Sequence, residues 1–268
     1  MLTPLNITLN QPTFEANLKS PKLKFDRSDF FIKIKGYGKN EAWADEVIEV
    51  ADSASRMIQK NASAERTLRA ITLGVSEANR KTDDPSKRLK SGILRTMRLD
   101  WFGGDDKDVY TPYENSHYKV YKDRLDAVAA KPLKKINDDI GMSRPYKLVD
   151  IKHGNPEKIN SSLDYVFSLF KKTIPKFING ELTSKNLDEV NDTIAEIRWV
   201  LAHSTPWLRG SDAISNVFMR AMYKAVGIKT YPPAEGVSFD LEAYCTDLDE
   251  YKRKFPTYFE KPPEVVEN

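Results

Sequence analysis

The run Ile197–Ile228, IRWVLAHSTPWLRGSDAISNVFMRAMYKAVGI, constrains the fold more than any other part of the chain. Leu187, Val190, Ile194, Ile197, Val200 and Leu201 recur at helical spacing, and Asn186 with Glu189 has the form of a capping box. Pro206 biases Thr205 towards an extended backbone, so this first helix is predicted to end near His203. Ser211 is positioned to cap a second helix carrying Ile214, Val217, Phe218, Ala221, Met222 and Ala225, with Gly227 as its stop. Two apolar helices joined by a Pro-Trp-Leu-Arg-Gly-Ser corner must pack against each other and against further helices. The unpaired amides at the start of the second helix favour negative charge, and Arg209 adds a planar fork suited to phosphate. A plainer alternative is two core helices with a capped corner and a solvated arginine.

The rest of the chain reads as mainly α with a few short strands. Residues 1–40, with Pro4, Pro12, Pro21, Gly36 and Gly38, suggest an irregular arm containing one β-prone run at Phe30–Ile34. Helices are predicted over about 40–59 and 63–80, with another beginning near Ser86. Trp101–Asp106 reads as a solvated acidic turn or an acidic binding loop, and Val109–Tyr113 as short and β-prone. Further expectations are a helix over 118–130, a short strand over 146–151 and a helix over 157–173. A last helix, capped by Asp240, is expected over about 241–254, followed by a disordered tail from 256 to 268. The domain reading is an arm (1–40), one helical domain (41–255) with an upper lobe around 84–150, and that tail.

Composition narrows the function classes. Forty-two Lys and Arg against 39 Asp and Glu leave a net charge of +3, with only short clusters at Lys87, Arg88, Lys90 and at Lys131, Lys134, Lys135, so nucleic acid is not the expected partner. The single cysteine, Cys245, allows no internal disulfide, and His117, His153 and His203 form no metal-binding spacing, so no metal is expected. No apolar run reaches the ~20 residues that span a bilayer. The N-terminus has no signal-peptide pattern, and Leu2 replaces the glycine that myristoylation requires.

The motifs Arg198-Trp199, Pro206–Ser211, Gly227-Ile228, Pro232-Pro233 and Val237–Ala243 together resemble the avirulence protein B (AvrB) family of bacterial effectors, of the Fic/Doc (Fido) helical fold. Thr111-Pro112, Tyr118-Lys119 and Asn155–Ile159 are similar to further landmarks in the same order. The resemblance implies a Fic/Doc-like helical core with an inserted upper lobe. It also implies a bacterial protein delivered by type III secretion into the host cytoplasm, where it modifies a host protein. The implied nucleotide site comprises Thr111, Arg209 and Asp240. Thr111 and Asp240 take catalytic roles, while Arg209, Gly210, Ser211, Thr111 and Lys152 hold a nucleotide diphosphate or nucleotide sugar of ADP, UDP or dTDP type. The chain departs from AMP-transferring Fic enzymes: Thr205 stands where their catalytic His belongs, and Arg209 where their acidic metal ligand belongs. A histidine associated with the family's pocket falls near Ser161, and His203 reads as a packed or capping residue. Three readings follow: deoxyhexose (rhamnose-type) transfer from a nucleotide sugar to a host protein side chain, nucleotidyl transfer with altered catalytic residues, or a non-catalytic binding module.

Overall fold

Helices α6 (Leu187–Ser204) and α7 (Ser211–Ala225) form the centre of the molecule. In this computed structural model, residues 23–82, 91–96, 109–112, 116–147, 149–178 and 182–266 are described. Every residue from 197 to 207 and from 214 to 223 is buried, so both helices are wrapped on all sides. Helix α7 packs under α1 (Glu41–Gln59) and α2 (Ala64–Thr82), an antiparallel pair whose Val47, Ala51, Ile58, Leu68, Ile71 and Val75 face inward at helical spacing. Helix α6 packs against α5 (Ile159–Ile178) on one side and against α8 (Phe239–Cys245) and α9 (Leu248–Lys254) on the other. Two short helices, α3 (Ser116–Lys119) and α4 (Lys122–Ala130), precede the strands. The mainly α reading holds.

Strands β1 (Tyr110–Pro112), β2 (Arg144–Tyr146) and β3 (Asp150–Lys152) form an antiparallel sheet in the order β1-β3-β2. Thr111 lies opposite Ile151, which lies opposite Pro145, while Tyr110, Lys152 and Arg144 form the next row. Because side chains alternate between faces, Thr111, Ile151 and His153 point to the core and Tyr110, Lys152 and Arg144 point outward. A hairpin turn at Lys147, with φ of 53°, separates β2 from β3, so the single strand expected over 146–151 is two.

Several boundaries differ from expectation for local reasons. Asn186 occupies the N-cap position of α6 but forms no capping box, because its Oδ1 accepts from the Thr183 amide at 2.7 Å. Thr205 is left-handed (φ 42°) rather than extended, with its hydroxyl bonded to Ala202 O at 2.8 Å. Gly210, not Ser211, is the N-cap of α7, at φ 86°. Helix α5 runs through Pro175 to Ile178, past the end expected at 173. The run Phe30–Ile34 is no strand: Arg27–Phe30 is a 3-10 turn capped by Asp26. Ser238, not Asp240, is the N-cap of the last helical region, which breaks at Thr246 into α8 and α9.

Residues 256–266 correct the expected disordered tail. Phe255–Tyr258 form a 3-10 turn, Phe259 is buried, and β5 (Glu264–Val265) pairs with β4 (Ile228–Lys229). An aromatic cluster of Phe239, Tyr251, Phe255, Tyr258 and Phe259 fastens this segment to the core. The expectations for Lys87–Lys90, for Trp101–Asp106 and for residues 1–22 lie outside the described residues, as does part of the upper lobe.

Candidate functional site

The corner between α6 and α7 is held by residues 91–96, which do not continue the helix expected from Ser86 but form isolated bridges to Trp207 and Arg209. Residues 91–96 run beside it: the Gly92 amide donates to Arg209 O at 3.2 Å, Leu208 N to Ile93 O at 2.9 Å, and Arg95 N to Pro206 O at 2.8 Å. The fully buried Arg95 side chain donates to Thr205 O at 2.7 Å, Ser204 O at 2.6 Å and Gly154 O at 2.7 Å. A permanent cation thereby satisfies carbonyls at the end of α6 and carries charge favourable to that pole of the helix. Arg209 itself is exposed on this fixed backbone. The Ser211 hydroxyl accepts from Trp207 N at 3.2 Å and donates to Trp207 O at 3.1 Å, so it closes the turn.

His153 stands behind the corner, on the core face of the sheet. The chain leaving β3 touches the end of α6 at Gly154, where a Cβ would come within 2.6 Å of His203 O. Around the ring, Nδ1 lies 3.0 Å from the Thr205 hydroxyl, 3.2 Å from that of Ser143 and 3.5 Å from that of Tyr244. Each of those hydroxyls donates to a carbonyl: Ser143 to His203 O, and Thr205 and Tyr244 to Ala202 O. With those protons engaged, the three oxygens accept from the ring, which assigns the proton to Nδ1. Nε2 is then an acceptor, and the Thr111 hydroxyl, 2.7 Å away, donates to it. Burial, followed by the charges of Arg95, His203 and Arg209, lowers the His153 pKa to about 3, so the ring is neutral at physiological pH.

Asp240 lies in the first turn of α8. Its Oδ1 accepts from the Leu241 amide at 2.8 Å and from the Ser238 hydroxyl. The side chain is half-buried and keeps contact with solvent. Desolvation first, then the Asp212 carboxylate, raise its pKa to about 6, against the lowering effect of Arg198. Arg198 is fully buried and ion-paired with Asp212 at the start of α7. Tyr37, Tyr118 and Tyr244 are near enough to feel this carboxylate; desolvation chiefly, helped by neighbouring charges that include Asp240, pushes all three phenols up, so they remain protonated. Tyr118 is near Thr111, and Tyr244 shares Ala202 O with Thr205 and reaches His153, so Asp240 and the His153 cluster share one layer of side chains. A half-buried carboxylate whose pKa is raised to about 6 is equipped to accept a proton.

A family model described as avirulence protein, AvrB/AvrC, matches residues 114–262. The chain belongs to this family. It is therefore an avirulence-type effector. A comparison with curated proteins gave no significant match. Of the residues that the AvrB resemblance implied, Thr111, Arg209 and Asp240 lie around the His153–Tyr244 layer: Arg209 is close enough to act on the His153 charge, and Asp240 acts on Tyr118 and Tyr244. Lys152 does not join them, since it lies on the outward face of the sheet over the Tyr110 ring. Gly210 serves as the helix cap, and Ser161 donates to Asp139 O and Lys158 O. His203 is a packed residue, its ring 4.0 Å from Trp199 and its Nε2 donating to Ala243 O at 2.9 Å.

The Asp240 environment has a pH signature. Its folded pKa of about 6 exceeds the ordinary value of 3.8, so the folded state takes up this proton more readily than the unfolded state does. The stabilisation from that excess proton is full below the unfolded value and is lost as pH rises through about 6. Asp240→Asn is therefore expected to stabilise the protein at pH 7, by at most about 3 kcal/mol, with the gain shrinking towards pH 4. Urea denaturation at both pH values reads this out, and an equal change at the two would contradict it.

Proposed function

We propose that the chain is an effector transferase that takes a nucleotide sugar and glycosylates a hydroxyl on a host protein side chain, with a deoxyhexose as the sugar. The observation that carries this reading is Asp240: a half-buried carboxylate in the first turn of α8, its pKa raised to about 6, with the protonated phenols of Tyr37, Tyr118 and Tyr244 near enough to feel its charge. In the proposed reaction Asp240 takes the proton of the acceptor hydroxyl while the acceptor oxygen bonds to the anomeric carbon. The bond from that carbon to the diphosphate oxygen breaks, and the nucleoside diphosphate leaves. Arg209 and the first amides of α7 are the groups suited to the departing charge. Thr111 directs its proton to His153, so it offers lone pairs to the site and suits a sugar or acceptor hydroxyl rather than a phosphate oxygen.

Titration calorimetry with ADP, UDP, dTDP and their sugars tests the anion site. Arg209→Ala is expected to weaken the preferred nucleotide by about 2 kcal/mol, the scale of a charge-assisted hydrogen bond; undiminished affinity would remove the corner from the site. Intact-mass analysis of a candidate target incubated with each donor distinguishes sugar transfer from AMP transfer. No mass change with any donor would leave a binding module. Turnover is expected to rise with pH through about 6, and Asp240→Asn is expected to abolish turnover while leaving donor affinity within about threefold.

A further inference from the structure

A groove of about 870 Å³ runs beside the free edge of β2, between that strand and the segment following α4. Five cations line it: Lys135, Arg144, Lys147, Lys152 and Lys158. Asp138 is the one carboxylate among its described lining residues, and it pairs with Lys135 at 3.4 Å. Lys158 pairs with Asp139 at 3.8 Å. Among the described residues, Arg144 and Lys147 have no carboxylate within ion-pair distance, and both are exposed.

Arg144 and Lys152 are register partners across β2 and β3, so two cationic side chains stand side by side on the outward face. An anionic occupant of the groove meets both, and the apolar wall formed by Leu133, Ile140, Met142 and Pro145 offers burial that an isolated phosphate would not use. The cations come from the loop after α4, the β2–β3 hairpin and the turn before α5, around that wall, an arrangement that matches a chain of alternating acidic and apolar side chains. Nucleic acid fits less well, because these five cations line one bounded groove and the chain's net charge is only +3.

We infer that this groove docks an acidic peptide segment of a partner protein. Its floor includes Ser143 and His153, and His153 holds Thr111 on the core side of the sheet, so a segment bound here lies next to the candidate site. That the segment is the acceptor of transfer rests on the proposed function; its binding does not.

Fluorescence anisotropy of the full chain with a short labelled peptide alternating Asp or Glu with Leu or Val tests the inference, with an Asn/Gln version as the neutral control. The acidic peptide is expected to bind about tenfold tighter than the neutral one, and added salt is expected to narrow the difference. The exposed pair Arg144→Glu with Lys147→Glu is expected to remove that preference while leaving the thermal midpoint unchanged. Equal binding of the two peptides, or full acidic binding by the double variant, would overturn the inference. So would displacement of the peptide by UDP or ADP coupled to loss of nucleotide binding in the double variant, which would make the groove a nucleotide subsite. Arg209→Ala is expected to leave peptide binding intact, so failure of the anion corner and failure of the groove are separate results.

Discussion

Arg220→Ala is expected to lower the unfolding free energy by about 3–5 kcal/mol. The side chain is fully buried on α7 and donates to Asp29 at 2.9 Å, to the Thr230 hydroxyl at 3.0 Å and to Tyr231 O at 3.2 Å. Its guanidinium also lies over the rings of Phe30 and Phe259. It therefore ties the turn Arg27–Phe30 and the C-terminal segment to the central helix. Truncation leaves Asp29 buried without its counter-charge. Burial is the largest influence on both partners, lowering the Arg220 pKa and raising that of Asp29 even though each attracts the other. Desolvation thus outweighs attraction, and the double change Arg220→Met with Asp29→Leu is expected to recover most of the loss. Urea denaturation of the two single variants and the double variant checks this. A loss below about 1 kcal/mol for Arg220→Ala would mean that solvent reaches the pair.

Arg95→Met is expected to cost about 3–5 kcal/mol and, unlike the Arg220 change, to damage the candidate site. Three carbonyls, of Gly154, Ser204 and Thr205, converge on this one guanidinium. Two of them close α6, and the third fixes the approach of the His153 strand. Arg95→Lys keeps the charge but replaces a planar fork with a single ammonium, so it is expected to restore only part of the stability. Hydrogen exchange at the Arg95 and Leu208 amides, which pair the two segments, distinguishes local from global loss. Faster exchange at these amides, with the α1 core still protected, is the expected pattern for Arg95→Lys. Uniform exchange would mean that Arg95 supports the whole fold and has no special link to the corner.

The helices were legible where apolar residues recur over several turns. The repeats in α1, α2, α6 and α7 outweigh any competing local preference, and their limits were read to within a few residues. Misreadings fell where one long-range bond overrides a local rule. Pro206 should have kept Thr205 extended, but the Ala202 carbonyl and the His153 ring hold it left-handed. Proline-rich composition suggested a loose tail, whereas burial of Phe255, Phe259 and Tyr251 pins it. In the site, Arg209 and Asp240 stood out because each lies in a dense local motif. His153, Arg95 and Tyr37 did not, since each meets its partners only through tertiary contacts and none sits in a spacing that announces chemistry. The alternation Thr111, Ile151, His153 on one face of a short sheet was the available signal, and it requires the strand pairing to be known.

Helix α7 gives one more consequence. Its buried faces rest on α1 and α2, its Arg220 on Asp29, and the corner before it on Arg95. All of those supports precede residue 114, where the family match begins. The matched segment and the folding unit are thus different objects: a chain trimmed to 114–262 would retain most of the recognisable motifs yet expose the apolar side of its central helix to water. The corner therefore owes its dry underside to residues that lie outside the match.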